Sequence, residues 1–235
     1  MKTLIIIPAY NEELNLPAVV AELREHAPFA DILAVNDCSF DATAATLEKL
    51  EVPYLGLKVN LGIGGAVQSG FKYAAANGYD IAVQFDGDGQ HDARYIKDLI
   101  APVEAGEADM VIGSRFIDGE GFQSSAMRRV GIGFLSSVIK SLAKTDVKDV
   151  TSGMRAFSKR LFTYFSENYA QDYPEPEAVL TAGLIGAVIK EIPVRMRERQ
   201  NGESSISSFG SVYYMIKLTL AMFFSKVFRN KGEKL

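Results

Sequence analysis

At 235 residues, 48% of them hydrophobic and 23% charged, the chain can bury one sizeable core, which excludes a disordered or low-complexity protein. A formal net charge of −4 gives no basis for nucleic-acid binding, and a single cysteine, Cys38, excludes an internal disulfide and fits a reducing compartment. The opening apolar run ends at Pro8, too short for a secretory leader, so a cytoplasmic location is expected.

Leu4-Ile5-Ile6-Ile7 predicts a strand buried on both faces. Further strands are predicted over 31–35, 54–59, 81–85 and 109–112, and helices over 12–25, 41–50, 64–76 and 93–104. That alternation predicts βαβ units, hence an α/β fold with a mostly parallel sheet and helices on both faces. Ligands of such sheets bind beyond the carboxyl ends of the strands, where the unusual polar residues of this chain collect. In the second half, glycine-rich 118–123 reads as a mobile loop, 128–143 as a helix and 152–157 as a short strand. A helix over 175–185, a strand over 190–196 and a long terminal helix complete the pattern, as a second wall rather than an independent domain.

Asp86-Gly87-Asp88-Gly89-Gln90 follows directly on the predicted strand 81–85. Two carboxylates one residue apart, with glycines that let the backbone turn, suit a hard cation such as Mg²⁺ or Mn²⁺, and Gln90 can add a neutral oxygen. A plain Asp-Gly turn is the competing reading. A calcium loop is excluded, because His91 and Lys97 stand where glycine and glutamate are required. The first strand leads into Pro8-Ala9-Tyr10-Asn11-Glu12-Glu13 and the second into Asn36-Asp37-Cys38-Ser39, with Asp41 and Thr43 behind it. Read alone these are turns with helix-capping residues. Read together they put a ring that can stack (Tyr10) and carboxylates (Glu12, Asp37) at neighbouring strand ends, as a nucleoside requires. Asn60-Leu61-Gly62-Ile63-Gly64-Gly65-Ala66 is neither a dinucleotide fingerprint nor a P-loop, since Val67 occupies the last glycine position and no Gly-Lys-Ser/Thr follows. Close approach of backbone to a ligand, or of helix to sheet, accounts better for its glycines.

In this order, and with Gly113-Ser114-Arg115, residues 149–155 (DVTSGMR) and residues 199–205 (RQNGESS), these motifs resemble the family 2 inverting glycosyltransferases of the dolichyl-phosphate mannose synthase-like branch. The resemblance runs over roughly residues 3–207 and implies a GT-A catalytic domain over 1–207 and a separate C-terminal helix over 208–235. It implies that Pro8, Tyr10, Glu12 and Asp37, with Asn60 and Gly64, hold the nucleoside of a UDP- or GDP-sugar. It likewise implies that Asp86, Asp88 and Gln90 hold the metal and diphosphate. Asn36 and Cys38 depart from the usual aspartate and glycine, and residues 173–177 (YPEPE) replace an aromatic-Glu-x-Glu pattern in which Glu177 aligns with the helix-borne acid.

Two acceptor chemistries differ in what they ask of the protein. A sugar hydroxyl needs a general base, for which Asp149, Glu175 and Glu177 are candidates. A lipid phosphate is already ionised and needs cations, and the second half supplies Arg115, Arg128, Arg129, Arg155, Arg195, Arg197 and Arg199. By resemblance Arg115, Arg128 or Arg129, and Arg199 serve a polyprenyl phosphate, with Ser204 beside them. That acceptor, undecaprenyl phosphate in a bacterium, is the expectation, with a hydroxyl of a lipid-linked or cell-wall glycan as the alternative. A nucleotidyltransferase would begin with a glycine-rich basic loop, which Pro8-Ala9-Tyr10-Asn11 is not, and an inactive scaffold would not need Asp86, Asp88 and Gln90. The terminal helix is apolar almost all round, with Lys217 and Lys226 on roughly opposite sides. A segment lying on the inner face of the cell membrane, or docked on a small membrane protein, is expected over a full span, because two lysines cost several kcal/mol in a bilayer.

Overall fold

The computed structural model describes residues 1–123, 125–198 and 210–228. A seven-stranded sheet is built from β1 (Thr3–Ala9), β2 (Asp31–Asn36), β3 (Tyr54–Gly56), β4 (Ile81–Gln84), β5 (Met110–Ser114), β6 (Arg155–Ser158) and β7 (Ile189–Pro193). Its order is β3-β2-β1-β4-β6-β5-β7. β1 pairs in parallel with β2 and β4, β2 with β3 and β5 with β7, while β6 runs antiparallel between β4 and β5. The carboxyl ends of β1, β2, β4 and β5 therefore share one edge with the amino end of β6.

Helices cover both faces: α1 (Leu16–His26), α2 (Thr43–Lys49), α3 (Gly62–Ala76), α4 (Ile96–Glu104), α5 (Ala126–Ala143), α6 (Lys159–Glu167), α7 (Pro174–Leu184) and α8 (Gly210–Phe228). Every residue of β1 is buried, as a strand with helices on both sides requires. Its side chains alternate between two cores. Leu4 and Ile6 join Phe71 of α3 and Phe162 of α6; Ile5 and Ile7 join Leu16 and Val20 of α1 and Leu99 of α4. Each such side chain contributes about 1.5–3 kcal/mol by leaving water.

Several elements differ from the sequence pattern. The first helix starts at Leu16, ahead of Pro17, because Glu12 and the residues after it form a turn in which the Glu12 carbonyl accepts from the backbone of Asn15 and Leu16. The third strand stops at Gly56. The segment 118–123, expected to be mobile, is tied down: Gly121 bridges to Met196, and Phe122 N–H donates to the Met196 carbonyl at 2.9 Å. α6 was not anticipated, although Leu161, Phe162 and Phe165 carry helical spacing and bury the face it turns to the core. Leu218 and Met222 of α8 are fully buried, and α8 packs beside α5 and α7. No described helix is long and apolar enough to cross a membrane.

Candidate active site

The loops after β1 and β2 are built as a pair. Asn11 N–H donates to Ser39 Oγ (2.9 Å), Phe40 N–H to Asn11 Oδ1 (3.0 Å) and Glu12 N–H to Thr43 Oγ1 (2.9 Å). Two more bonds cross between the loops, Glu13 N–H to Asp41 Oδ2 and Ala42 N–H to Glu13 Oε2. Asn11 and Cys38 take left-handed backbone, with φ of 57° and 59°, to make these crossings. Asp37 is buried and accepts from Leu61 N–H at 2.7 Å, which joins the loop before α3 to the pair. Tyr10 is exposed, and its ring meets Phe40 edge-on at 6.0 Å, with Phe40 itself 82% exposed. Together they form an open aromatic corner against which a base can stack.

Most of the residues expected to hold the nucleoside have partners within the protein. Pro8 is buried within β1, paired with Val35. Glu12 is buried and accepts from Asn15 Nδ2 at 2.6 Å. At Gly64 a Cβ would fall 2.3 Å from the Ala170 carbonyl, so this glycine serves the approach of α3 to the segment before α7. Asn60 is exposed, and its Oδ1 accepts from Gly62 N–H. Of the expected set, Tyr10 alone presents an exposed ring.

Asp86, Gly87 and Asp88 turn at the end of β4, packed on the β1 loop: a Cβ on Gly87 would lie 3.2 Å from the Pro8 carbonyl and 3.7 Å from Glu12 Cγ. Asp86 N–H donates to Nδ1 of buried His91 (3.2 Å), Gln84 Nε2 donates to Asp86 Oδ1 (3.2 Å) and Gln90 N–H to Asp88 Oδ1 (3.0 Å). On the other side, a Cβ on Gly153 would meet Asp86 Oδ2 at 2.2 Å, so only glycine leaves that carboxylate its place. Gln90 and Arg197 exchange bonds, Gln90 Nε2 to the Arg197 carbonyl and Arg197 N–H to the Gln90 carbonyl. Because the Gln90 amide nitrogen is engaged there, its oxygen is the atom left to offer a cation. Among the described residues no three His, Cys, Asp or Glu side chains form a closed metal cage. Two carboxylates and an amide oxygen on an open turn fit a Mg²⁺- or Mn²⁺-type ion that completes its shell with substrate oxygens and water.

Beside this turn lies buried polar machinery. Arg155, fully buried at the head of β6, donates to the carbonyls of Ser152 (2.7 Å), Val150 (2.9 Å) and Glu175 (2.8 Å), and so fastens the 150–153 turn to the start of α7. Burial pushes the Glu175 carboxyl up to about 7, Arg155 pulls it back and Asp86 pushes it further. Glu177 also rises to about 7, from burial and then from Asp172, with Lys217 opposing. Glu175 is the α7 acid whose proton affinity responds to Asp86, while Glu177, the acid assigned by resemblance, responds to Asp172 and Lys217. Gln84 Oε1, Ser114 Oγ and Tyr169 Oη are buried and have no hydrogen-bond partner among the described residues, unlike most buried polar atoms. His91 and Gln84 were not read as site residues, and Arg155 was read only as one of the acceptor-side cations. The signal at Gln84 and Arg155 was a polar side chain beside or within an apolar run, which binary patterning flags as an error unless functional.

Arg115 follows β5 and forms a bidentate pair with Asp149, Nε to Oδ2 and Nη2 to Oδ1 both at 2.7 Å, while Nη2 also reaches Thr151 Oγ1 at 2.8 Å. Asp149 is fully buried and also accepts from Arg115 N–H, so it orients the guanidinium and is badly placed to take a proton from a hydroxyl. Arg195 pairs with Glu120, and Arg197 with Glu22 and Asp92, so both brace loops. Arg128 and Arg129 are exposed on the first turn of α5, with no ion pair among the described residues. Arg199 and Ser204 lie outside the described residues.

A parallel α/β sheet with an acidic turn at the carboxyl end of a central strand and an oriented arginine two strands away is the frame of a sugar-transferring enzyme. The chain belongs to glycosyl transferase family 2, whose model matches residues 4–165. It is 32% identical over 217 residues to an undecaprenyl-phosphate mannosyltransferase of Micrococcus luteus, covering 88% of each chain. It is 34% identical over 211 residues to a UDP-N-acetylglucosamine–dolichyl-phosphate N-acetylglucosaminyltransferase of Methanococcus voltae, covering 81% of this chain and 84% of that one. Among solved structures, a glucosyl-3-phosphoglycerate synthase of Mycobacterium tuberculosis, crystallised with Mn²⁺, UDP and phosphoglyceric acid, superposes with a TM-score of 0.73. That match covers 98% of this chain and 80% of the other at 18% identity, and it shows the shared GT-A fold.

Proposed function

We propose that this protein is an inverting glycosyltransferase that moves a hexose-type sugar from a UDP- or GDP-sugar to a polyprenyl phosphate, undecaprenyl phosphate in a bacterial host. The observation that carries the acceptor assignment is the Arg115–Asp149 pair. The one acid beside the arginine is buried and engaged, so this side of the site offers oriented cations instead of a free base. The names of the two curated relatives, both polyprenyl- or dolichyl-phosphate transferases, support the same reading, and their different sugars leave the sugar open.

In this reading the catalytic unit is residues 1–207, and 208–235 form a membrane-surface or partner-docking appendage. Tyr10 and Phe40 stack on the base, and the loop pair anchored by Asp37 shapes the pocket for the ribose. Asp86, Asp88 and Gln90 would hold a divalent cation, which when bound offsets charge on the departing diphosphate. Arg115, with Arg128, Arg129 and Arg199, holds the acceptor phosphate against its repulsion from the donor. A phosphate oxygen attacks the anomeric carbon as the bond to the diphosphate oxygen breaks; the configuration inverts, and the nucleoside diphosphate leaves with the bonding pair. No proton has to be removed from the nucleophile.

The decisive experiment offers radiolabelled nucleotide sugars to the protein with Mg²⁺ or Mn²⁺ and a polyprenyl phosphate. Label in an organic-soluble product released by mild acid is the expected result. An acid-stable glycolipid or polysaccharide would overturn the phosphate acceptor.

A further inference from the structure

Arg115 is oriented by Asp149, and Asp149 is in turn held by an acid from another strand. Residues 144–154 join α5 to β6 outside any helix or strand, yet Val147, Asp149, Val150, Ser152 and Met154 are buried. Buried backbone groups need partners, and a segment without a ladder must find them largely on side chains. Arg155 donates to the carbonyls of Val150 and Ser152, and Ser136 Oγ of α5 donates to that of Lys148 at 3.2 Å. The N–H groups go to Glu191, in the middle of β7. Lys148 N–H donates to Oε2 at 2.8 Å and Asp149 N–H to Oε1 at 2.9 Å. Two consecutive amides therefore ask for two acceptor oxygens on one side chain, which a carboxylate offers and an amide or hydroxyl does not.

β7 lies beside β5, with Glu191 opposite Ile112, and Arg115 follows the end of β5. One strand pair thus carries both the arginine and the acid that fixes the arginine's partner. Asp149 keeps no freedom of its own. Its Oδ2 accepts from Arg115 N–H and Nε, and its Oδ1 from Arg115 Nη2 and Thr151 Oγ1. Nη2 also donates to Thr151 Oγ1, so among the described residues Nη1 is the edge of the fork left for an oxyanion. We propose that Glu191 is a positioning residue for the acceptor phosphate: through the 148–149 backbone it fixes Asp149, and through Asp149 it fixes where Arg115 points Nη1. A fork held in place before the phosphate arrives loses less freedom on binding it. The inference rests on the phosphate-acceptor reading for what Nη1 meets, but not for the relay itself.

Glu191→Gln keeps the shape, offers one acceptor oxygen and turns an NH₂ group towards a backbone N–H. KM for a polyprenyl phosphate is expected to rise roughly ten-fold with kcat little changed. Affinity for UDP or GDP with Mn²⁺, measured by titration calorimetry, should stay at the wild-type value. In an Arg115→Gln/Asp149→Asn background, which removes the ion pair without leaving a lone buried charge, the same substitution should raise KM no further. Hydrogen exchange at Arg115 Nε, followed by nuclear magnetic resonance without substrate, should quicken roughly ten-fold in Glu191→Gln. Should that variant not fold, Glu191→Asp is read in the same way, because it keeps the charge but falls a methylene short of the two N–H groups. An unchanged KM, an equal loss of nucleotide affinity, or a full further rise of KM in the background lacking the ion pair would each overturn the proposal. If wild type glycosylates no polyprenyl phosphate, exchange at Nε decides: faster exchange keeps the relay and removes only the acceptor reading, and unchanged exchange overturns the relay.

Discussion

The two sides of the sheet edge are held together by different means. Around β1 and β2, short polar side chains bond to backbone a loop away, as Asn11, Ser39, Asp41 and Thr43 do, and the lattice is neutral or locally charged. Around β5, β6 and β7, the anchors are guanidinium groups reaching carboxylates and carbonyls far along the chain: Arg115 to Asp149, Arg155 to Glu175 and Arg197 to Glu22. The first arrangement spreads its energy over many bonds of about 1 kcal/mol each. The second concentrates it in a few charges, and the loss of buried ones such as Asp149 and Arg155 is expensive, because the partner is left uncompensated in a poor solvent.

The largest effect is expected at the turn that joins the two sides. Asp88→Ala should lower transfer by roughly a thousand-fold or more while far-UV circular dichroism stays native, since in the proposed reading the residue serves a cation and not the core. Full transfer in that variant would remove the metal from the proposal. Asp149→Asn tests the concentrated side: it leaves the Arg115 guanidinium, 12% exposed, facing a neutral amide, and should cost about 3 kcal/mol in urea unfolding. Ser39→Ala, on the distributed side, should cost about 1 kcal/mol. Equal losses would erase the contrast. Gly153→Ala forces a methyl onto Asp86 Oδ2 and should cost about 2 kcal/mol. It should also weaken Mn²⁺ binding measured by electron paramagnetic resonance without substrate.

The smallest effects are in pH dependence. Glu177 holds its proton to about 7 when folded, against an ordinary 4.5, so its contribution is present below 4.5 and fades as pH rises through about 7. Glu177→Gln should flatten that decline by on the order of 1 kcal/mol, read from urea midpoints at pH 4.5 and 8. Asp92 works in the opposite sense. Burial would raise it, but hydrogen bonds from Arg94 and the charge of Arg197 hold it at about 2, so its contribution is present above about 3.8 and lost as pH falls through about 2. Asp92→Asn should therefore soften acid unfolding only at the lowest pH.

The same contrast explains what could be read in advance. The alternation of strand and helix through β5, and the Asp86-Gly87-Asp88 turn, follow from local pattern and were legible to within a few residues. So was the place of Tyr10, an exposed ring at the end of a buried strand. The parts decided at long range were not. Nothing local says that Asp149 is spoken for by Arg115, that Glu12 turns inward to Asn15, or that the glycine at 64 answers to the Ala170 carbonyl. The choice between Glu175 and Glu177, two residues apart on one helical turn, depends on which buried charges surround each. β6 begins at Arg155 and not at residue 152, because an antiparallel strand inserted between parallel neighbours owes its limits to its partners, Gln84 and Ile112, which pair with Arg155.

The bond exchange between Gln90 and Arg197 bears on how this enzyme could be cut and recombined. The family match ends at residue 165, yet the backbone that braces the acidic turn comes from residue 197. A hybrid spliced at 165 would inherit every signature of the first half and a stranger's brace. Such a hybrid should fold yet bind its cation loosely, and recruiting the native 190–198 segment should restore the grip without touching a single signature residue.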